Sequence, residues 1–461
     1  MKKLAVLMAA VMLLTMGAGC GKKEKTDGKV QITVGSWPGE SASDATKENY
    51  ENYLKAMNTK YPNIEIKKDM SEYDHKSFTI KASSHQLPTV YKTNYTEFQK
   101  IVNQGYAADI TEQMKKNGYA DALNPIMKDF ISSDGKYYAI PVQSGAYALG
   151  LACNKNLFEK AGLVNEDGSI KAPSTYDELV EYSKIIKEKT GAYGIALPTM
   201  NNEGGWFLSM IAWAYGTDFI TEENGNYKAS FDTKECRNAL GLYQDLRWKY
   251  NVIPNNAFVS RDDARKLFAT DQAAMYFDAQ PSKTLTTKYN MDKNNLIFVR
   301  VPAGKAGRMS LMGGAIYMIN PDATPEQIDA VFKWVDICGE GPIMTEDGIK
   351  SFEASLQADV RDNAIVTDRD AFSVWTNEEL TNKRNELRAK YTNVDPSHIA
   401  DYCSFEDVTV RKEEYPCCQQ LYSVLDEGIQ LVLSKKDVNV TDVVKDMAHK
   451  FQVNHLDKWE E

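Results

Sequence analysis

Residues 134–163 read DGKYYAIPVQSGAYALGLACNKNLFEKAGL, and the interpretation of this stretch decides the fold. It opens on a charged turn at Asp134, Gly135 and Lys136, runs without charge from residue 137 to 154, and regains charge at Lys155 in a helix-like pattern. Gln143, Ser144, Gly145 and Tyr147 interrupt the run before it reaches the roughly 18 apolar residues that a membrane span needs. The pattern is that of a strand followed by a crossing segment. A strand serving only as core would not explain the polar residues, because polar groups are costly to bury without partners.

On either side of this run, strands and helices alternate. Residues 30–36, VQITVGS, place Val30, Ile32 and Val34 on one face of a strand, and Tyr50, Tyr53, Leu54 and Met57 then recur at helical spacing. Short strands follow at 64–66 and 87–91, with helices between and after them. The alternation predicts α/β layering on a mostly parallel sheet. Helix starts are marked by capping residues. Thr175 with Glu178 and Thr324 with Gln327 form capping-box patterns, Pro325 occupies a first helical position, and Glu235 has a similar offset in a helix over 232–250 with Cys236, Leu240 and Tyr243 inward. No repeat of fixed period is present.

The N-terminus, MKKLAVLMAAVMLLTMGAGC, has basic Lys2 and Lys3, an apolar core over 4–16, and small residues before Cys20. Residues 1–19 are therefore expected to be an export signal. The run Gly17, Ala18, Gly19 before Cys20 resembles the lipobox of bacterial lipoproteins, although that motif usually has Leu where Gly17 stands. The resemblance implies lipidation of Cys20, with an ordinary signal peptide and a chance cysteine as the alternative. Residues 20–29 are polar and charged, which suits a flexible tether. The remaining chain is too long for a single core and predicts two or three domains. Net charge is −10 and becomes −12 once Lys2 and Lys3 are lost, which disfavours nucleic acid and anionic membrane surfaces as partners. Of seven cysteines, Cys153 and Cys236 are expected as buried thiols, and Cys403 is placed to bridge locally to Cys417 or Cys418. No spacing is that of a metal site.

In order along the chain, ITVGSW, LPTVYKTNYTEFQKIVNQGYAADITE, DGKYYAIP, NKNLFEKAGL, PSTYDELVEYSKIIKEKTGAYGIALP, LFATDQAAMYFD and MGGAIYMINPDATPEQIDAVFKWV resemble the family 1 extracellular solute-binding proteins. These are lipoprotein or periplasmic receptors of bacterial ABC importers, and the resemblance covers nearly the whole mature chain. It implies a two-lobed, type II periplasmic-binding-protein-like α/β fold, each lobe a mostly parallel sheet flanked by helices, with the ligand cleft at the hinge. Residues 30–144 with 313–345 would form one lobe and residues 145–312 with 346–461 the other. The run after YAIP would then be the first crossing between lobes, with Gly145, Gly313 and Gly314 as hinge positions and Gln143, Ser144 and Tyr147 facing the solute. The sequence departs from the family pattern at Thr89, where Asp is common, at Cys153, where Tyr is common, and at Tyr147, where maltose-binding relatives place a sugar-binding carboxylate.

Sugars are held by aromatic faces on C–H patches and by planar polar side chains on paired hydroxyls. Loops with that mixture give Trp37 and Glu40, and Trp206 after residues 201–203, as expected ligand-binding residues. The resemblance adds Tyr91 and Asn94, Tyr147, Asp278 and Gln280 in a segment where relatives carry a stacking Trp and this chain has Pro281, and Trp375, all at positions like those that relatives use for sugar. Trp213 and Trp334 lie on apolar helical faces and are assigned to the core. The acidic run DVRDNAIVTDRD, residues 359–370, is read as solvated surface.

Together with these features, the resemblance implies a monomeric receptor for a small-molecule solute, read as an oligosaccharide from the aromatic content of its loops, that serves ABC permease subunits, is held to the outer face of the membrane by its N-terminal lipid, and needs no cofactor or metal. A secreted carbohydrate-active enzyme is the competing class. None of the five histidines falls in HExxH spacing, and no GxSxG elbow, phosphate loop or GxGxxG occurs, so no catalytic residue is assigned. A receptor reporting to a sensor kinase would use the same cleft.

Overall fold

The structure is a computed structural model and describes residues 28–459 other than 75, 76, 371 and 406. The expected export signal, Cys20 and all but the end of the tether lie outside the described residues.

The chain begins with β1 (Val30–Val34), α1 (Asp44–Lys60), β2 (Ile64–Lys68), β3 (Val90–Asn94) and β4 (Ala139–Pro141). Ile32 and Val34 of β1 are buried, as their alternation requires, and β1 runs parallel to β2 with Val30 opposite Ile64. Ser43 caps α1 by accepting from the Thr46 amide at 3.2 Å. β3 starts three residues later than the expected strand at 87, because Pro88 has no amide to give and the Thr89 hydroxyl instead accepts from the Thr33 amide at 3.0 Å.

The crossing at residues 142–149 contains β5 (Tyr147–Ala148), and after it come β6 (Gly150–Asn154), α2 (Tyr176–Thr190), α3 (Glu203–Tyr215), α4 (Lys234–Gln244), α5 (Arg261–Ala269), β7 (Met275–Asp278), β8 (Leu296–Arg300) and β9 (Arg308–Gly313). The chain then returns as β10 (Ala315–Ile319) and α6 (Pro325–Ile337), and ends with α7 (Glu346–Arg361), α8 (Glu378–Tyr391), β11 (Val408–Arg411), α9 (Cys418–Ser434) and α10 (Val440–Asn454). Thr324 and Gln327 make the reciprocal capping box of α6. Thr175 caps α2, but Glu178 bonds the Ser174 amide rather than the cap residue. Thr233, not Asp232, caps α4.

The first sheet has the order β2-β1-β3-β10-β4, with β1 parallel to both neighbours and β10 antiparallel to β3 and β4. The second lobe departs from the expected parallel sheet: β6 lies between β7 and β8, and both pairings are antiparallel. A further short sheet, β11-β9-β5, pairs the two crossing segments, with Met312 opposite Ala148 and Gly313 opposite Tyr147.

Two main hydrophobic cores follow this division. One takes Ile32, Tyr91, Ala146, Met312, Val331 and Trp334; the other takes Leu149, Leu151, Phe207, Trp213, Leu311 and Leu425. Core membership therefore changes between Ala146 and Leu149 on the outward pass and between Leu311 and Met312 on the return. Trp213 and Trp334 are core residues, as expected. Helix α3 has buried apolar residues on every side and runs through the second core. The segment 346–461 does not go entirely with that core: α7 packs on α1, and Phe372, Val374 and Trp375 join the first.

Candidate functional site

The recess where the lobes meet is built around the first turn of α3. Asn201 and Asn202 take left-handed backbone, which Asn tolerates better than most residues. The Asp426 carboxylate of α9 accepts from the Asn202 and Gly205 amides at 2.7 Å each, and the Asn202 side chain donates to the Gln419 side chain at 3.0 Å. A Cβ on Gly205 would stand 2.3 Å from the Tyr422 carbonyl oxygen, so only glycine lets α3 lie this close to α9. These contacts pin the helix start and leave Trp206 half-buried at the rim of the recess.

The Trp206 ring meets Phe207 edge-on with centroids 5.0 Å apart and Tyr147 at 6.4 Å, and the Arg261 guanidinium lies 5.4 Å from its centroid. Arg261 is held by Asp278. That carboxylate also takes two bonds from Arg265 at 2.8 Å, one from the Tyr276 hydroxyl at 2.9 Å and one from the Ala279 amide at 2.8 Å. Burial opposes its charge, but Arg261 and Arg265 outweigh burial and hold its pKa below the usual carboxylate range. Two largely buried arginines on one buried carboxylate make a rigid fork, which fixes Arg261 beside the aromatic face.

The first lobe contributes Asn94, exposed at the end of β3, and Thr96; Gly313 and Gly314 also border the recess. Its volume is about 350 Å³, and Thr96 and Glu413 also line an outer groove of about 690 Å³ bordered by Tyr227 and Tyr415. Glu413 lies between the two. The Tyr422 hydroxyl donates to its Oε1 at 3.2 Å, while Oε2 has no hydrogen-bond partner. Burial pushes its pKa up to about 7, against the opposing pull of Thr96, Tyr422 and Trp206, with the nearby Glu97 adding to the rise. Across the groove, the Asn103 amide donates to the Tyr415 hydroxyl at 2.6 Å and Lys412 to the Asp129 carbonyl at 3.3 Å.

Of the residues expected to bind ligand, the structure brings Asn94, Tyr147 and Trp206 together on this recess. The others go elsewhere. Trp37 is buried against Tyr50 and Trp334, Tyr91 is buried in the first core, and Trp375 is buried against Tyr119 with its indole bonded to the Glu340 carbonyl at 2.8 Å. Their neighbours in sequence are polar, but their own side chains sit on the core face. Asp278 is wholly buried and positions Arg261 instead of facing solute. Glu40 is exposed away from the recess, and Gln280 borders a different cavity. Gln143 is buried and bonded to Phe372 and Val374 backbone, and Ser144 bonds Glu340, so neither faces the recess.

Sequence reasoning missed Thr96, Arg261, Glu413, Gln419 and Tyr422. The last three come from the C-terminal segment, where nothing local distinguishes them from a solvated helix start. Gly314 has φ +138°, and a Cβ there would meet the Gly145 carbonyl oxygen at 2.4 Å, so of the expected hinge glycines Gly145 and Gly314 pack backbone on backbone. Cys153, Cys236, Cys403, Cys417 and Cys418 are free thiols, so the local bridge of Cys403 does not form. Among the described residues, no group of three or more His, Cys, Asp or Glu is placed to hold a metal ion, and no helix is long and apolar enough to cross a membrane.

A family model described as bacterial extracellular solute-binding protein matches residues 44–338. No curated protein sequence matches the chain. Among solved structures, the cyclic alpha-maltosyl-1,6-maltose binding protein of Arthrobacter globiformis is 20% identical, with a TM-score of 0.65 over 93% of this chain and 99% of that one. Maltose-bound MalE3 of T. maritima is 20% identical, with a TM-score of 0.62 over 92% and 99% of the two chains. UgpB of Mycobacterium tuberculosis, in complex with glycerophosphocholine, is 14% identical, with a TM-score of 0.68 over 93% and 98%. At these identities the likeness carries the two-lobed fold.

Proposed function

The chain belongs to the bacterial extracellular solute-binding protein family, and from that premise we propose that it captures a carbohydrate, an oligosaccharide, between its lobes and delivers it to an ABC transporter permease. The observation that carries this reading is the recess itself. It offers an aromatic face at Trp206, a second ring at Tyr147, and the planar amides of Asn94, Asn201 and Asn202, drawn from both lobes at the crossing. That set suits a ring with C–H patches and paired hydroxyls, and the adjoining groove leaves length for more than one ring. The names of the similar structures point the same way, since those proteins include binders of maltose, laminaribiose and cycloalternan.

Three further parts belong to this reading. Cys20 carries the lipid, residues 20–29 tether the receptor to the outer face of the membrane, and residues 30–144 with 313–345 close as one lobe against the remainder, the Phe372 to Trp375 strip excepted. The receptor works as a monomer.

The test is a melting-temperature screen against a panel of oligosaccharides, followed by X-ray scattering with the best binder. A stabilising sugar should also lower the radius of gyration, because closure brings the lobes together. A panel without any stabilising sugar, or a binder that leaves the radius unchanged, removes the proposal.

A further inference from the structure

The acidic run at 359–370, expected as solvated surface, instead feeds a buried cluster. The Asp370 carboxylate takes Arg384 Nε at 2.9 Å and Arg388 Nη2 at 2.5 Å, and burial of the acid is outweighed by those two cations, so its pKa lies below the usual range. The Arg384 side chain is only 6% exposed, and its guanidinium lies 3.9 Å from the centre of the Phe352 ring. Arg384 Nη2 and Arg388 Nε are buried with no hydrogen-bond partner.

These groups line a cavity of about 370 Å³. Its other ion pairs are balanced, with Lys283 on Asp359 and Arg369 on Asp368, each at 2.6 Å. In the triad two cations share one carboxylate and two guanidinium donors stand without a partner in a buried site, while Glu340 and Asp362 on the same wall bring the acids and bases of the lining to equal number. Buried donors of this kind are ordinarily paired. Elsewhere on the wall, Ser351, Glu340 and Asp362 offer groups that hydroxyls can bond.

The cavity shares no residue with the Trp206 recess. It takes Ala146 where the recess takes Tyr147, and successive side chains of extended backbone point to opposite faces. Its walls come from both sides of the crossing, Gln143 and Ala146 on one and Pro281 and Tyr402 on the other.

We propose that this cavity, behind the crossing strands, is a second binding site for a small hydroxylated oxyanion, whose phosphate or carboxylate completes the Arg384–Asp370–Arg388 triad and whose hydroxyls reach the Ser351 and Asp362 wall. The volume suits a single sugar-sized molecule, and arginine is the side chain that best matches planar or tetrahedral oxyanions. An occupant touching both sides of the crossing is linked to lobe closure by its contacts alone.

Glucose 6-phosphate, gluconate and glucose serve as probes in thermal melts of the full mature chain. At least one of the two anions should give a saturable rise of about 2 °C or more, and glucose at equal concentration should give less. Arg388→Gln should abolish the rise, while Trp206→Ala should keep it, which separates this site from the front recess. Because Arg388→Gln removes part of a buried network, Ser351→Trp provides the second variant: it fills the cavity, leaves the triad in place, and should also abolish the rise. Absence of stabilisation by both anions, or a rise retained in both Arg388→Gln and Ser351→Trp, overturns the proposal whatever the solute screen finds at the front.

Discussion

Replacing Glu413 by Gln should remove a pH dependence that the cleft builds into the protein. In the folded chain burial raises this carboxyl from its ordinary 4.5 to about 7. Between those values the folded state keeps a proton that the unfolded state has lost, so stability falls as pH rises through the window and stays lower above it. The distance between those values corresponds to about 3–4 kcal/mol at most. Glu413 keeps part of its surface open to the cleft, and solvent there reduces the expected effect to about 1–2 kcal/mol. The side-chain amide introduced by Glu413→Gln would still accept from Tyr422 but would not titrate. Asp336, raised to about 6, and Glu203, Glu414 and Asp426, also raised by burial, are present in both proteins and cancel in the comparison. Urea unfolding followed by tryptophan fluorescence from pH 5 to 8 should therefore show the parent losing about 1–2 kcal/mol more than Glu413→Gln. Parallel pH profiles would refute the reasoning, because they would mean that the carboxyl titrates as it does in water.

Trp206→Ala should weaken binding of a confirmed solute by about 1–3 kcal/mol, tenfold or more, as read by calorimetry; unchanged affinity in a folded variant would take Trp206 out of the site. Gly314→Val should lower stability by about 2–4 kcal/mol in denaturant unfolding, since the new side chain meets strained backbone and the Gly145 carbonyl together; parental stability would deny that close packing. Cys20→Ala should release the protein from the membrane fraction into the medium, and the wild-type N-terminus should carry an acyl mass. Retention of the variant, with no acyl group on the parent, would contradict the anchor.

What the sequence disclosed depended on how local the signal was. The caps at Ser43, Thr175 and Thr324 and the stripe of Cys236, Leu240 and Tyr243 lie within one helix, so period and capping chemistry locate them. Trp206 was legible because three polar residues before it break the helix start. Trp37 and Trp375 looked alike by that rule and are core, because a polar loop says where the backbone is exposed and not which way one ring points. Asp278 was found as a residue of the site region but with its role inverted: only the fold brings Arg261 and Arg265 onto it from α5. Glu413 and Tyr422 lie far down the chain from Thr96, and a pairing of that range leaves no periodic trace.

If the lobes close as proposed, the crossing offers a route by which a solute would move them even though its glycines are tightly packed. A Cβ on Gly313 would stand 2.5 Å from the Tyr147 ring, so that ring lies directly on the glycine. Tyr147 is thus at once a wall of the recess, a partner of Gly313 in the β5–β9 pair, and the residue after the core boundary at Ala146. Under the proposed function, a solute that presses on Tyr147 would act on the hinge without intermediaries. Because the two cores are separate, the cost of such a rotation would fall on this small sheet and not on either core. A solute touching only the α3 side would gain the same contacts open or closed and would shift nothing; one that also reaches Asn94 and Thr96 gains them only on closure. On the proposed reading, the first-lobe polar pair would set selectivity for closure, and Trp206 would set affinity.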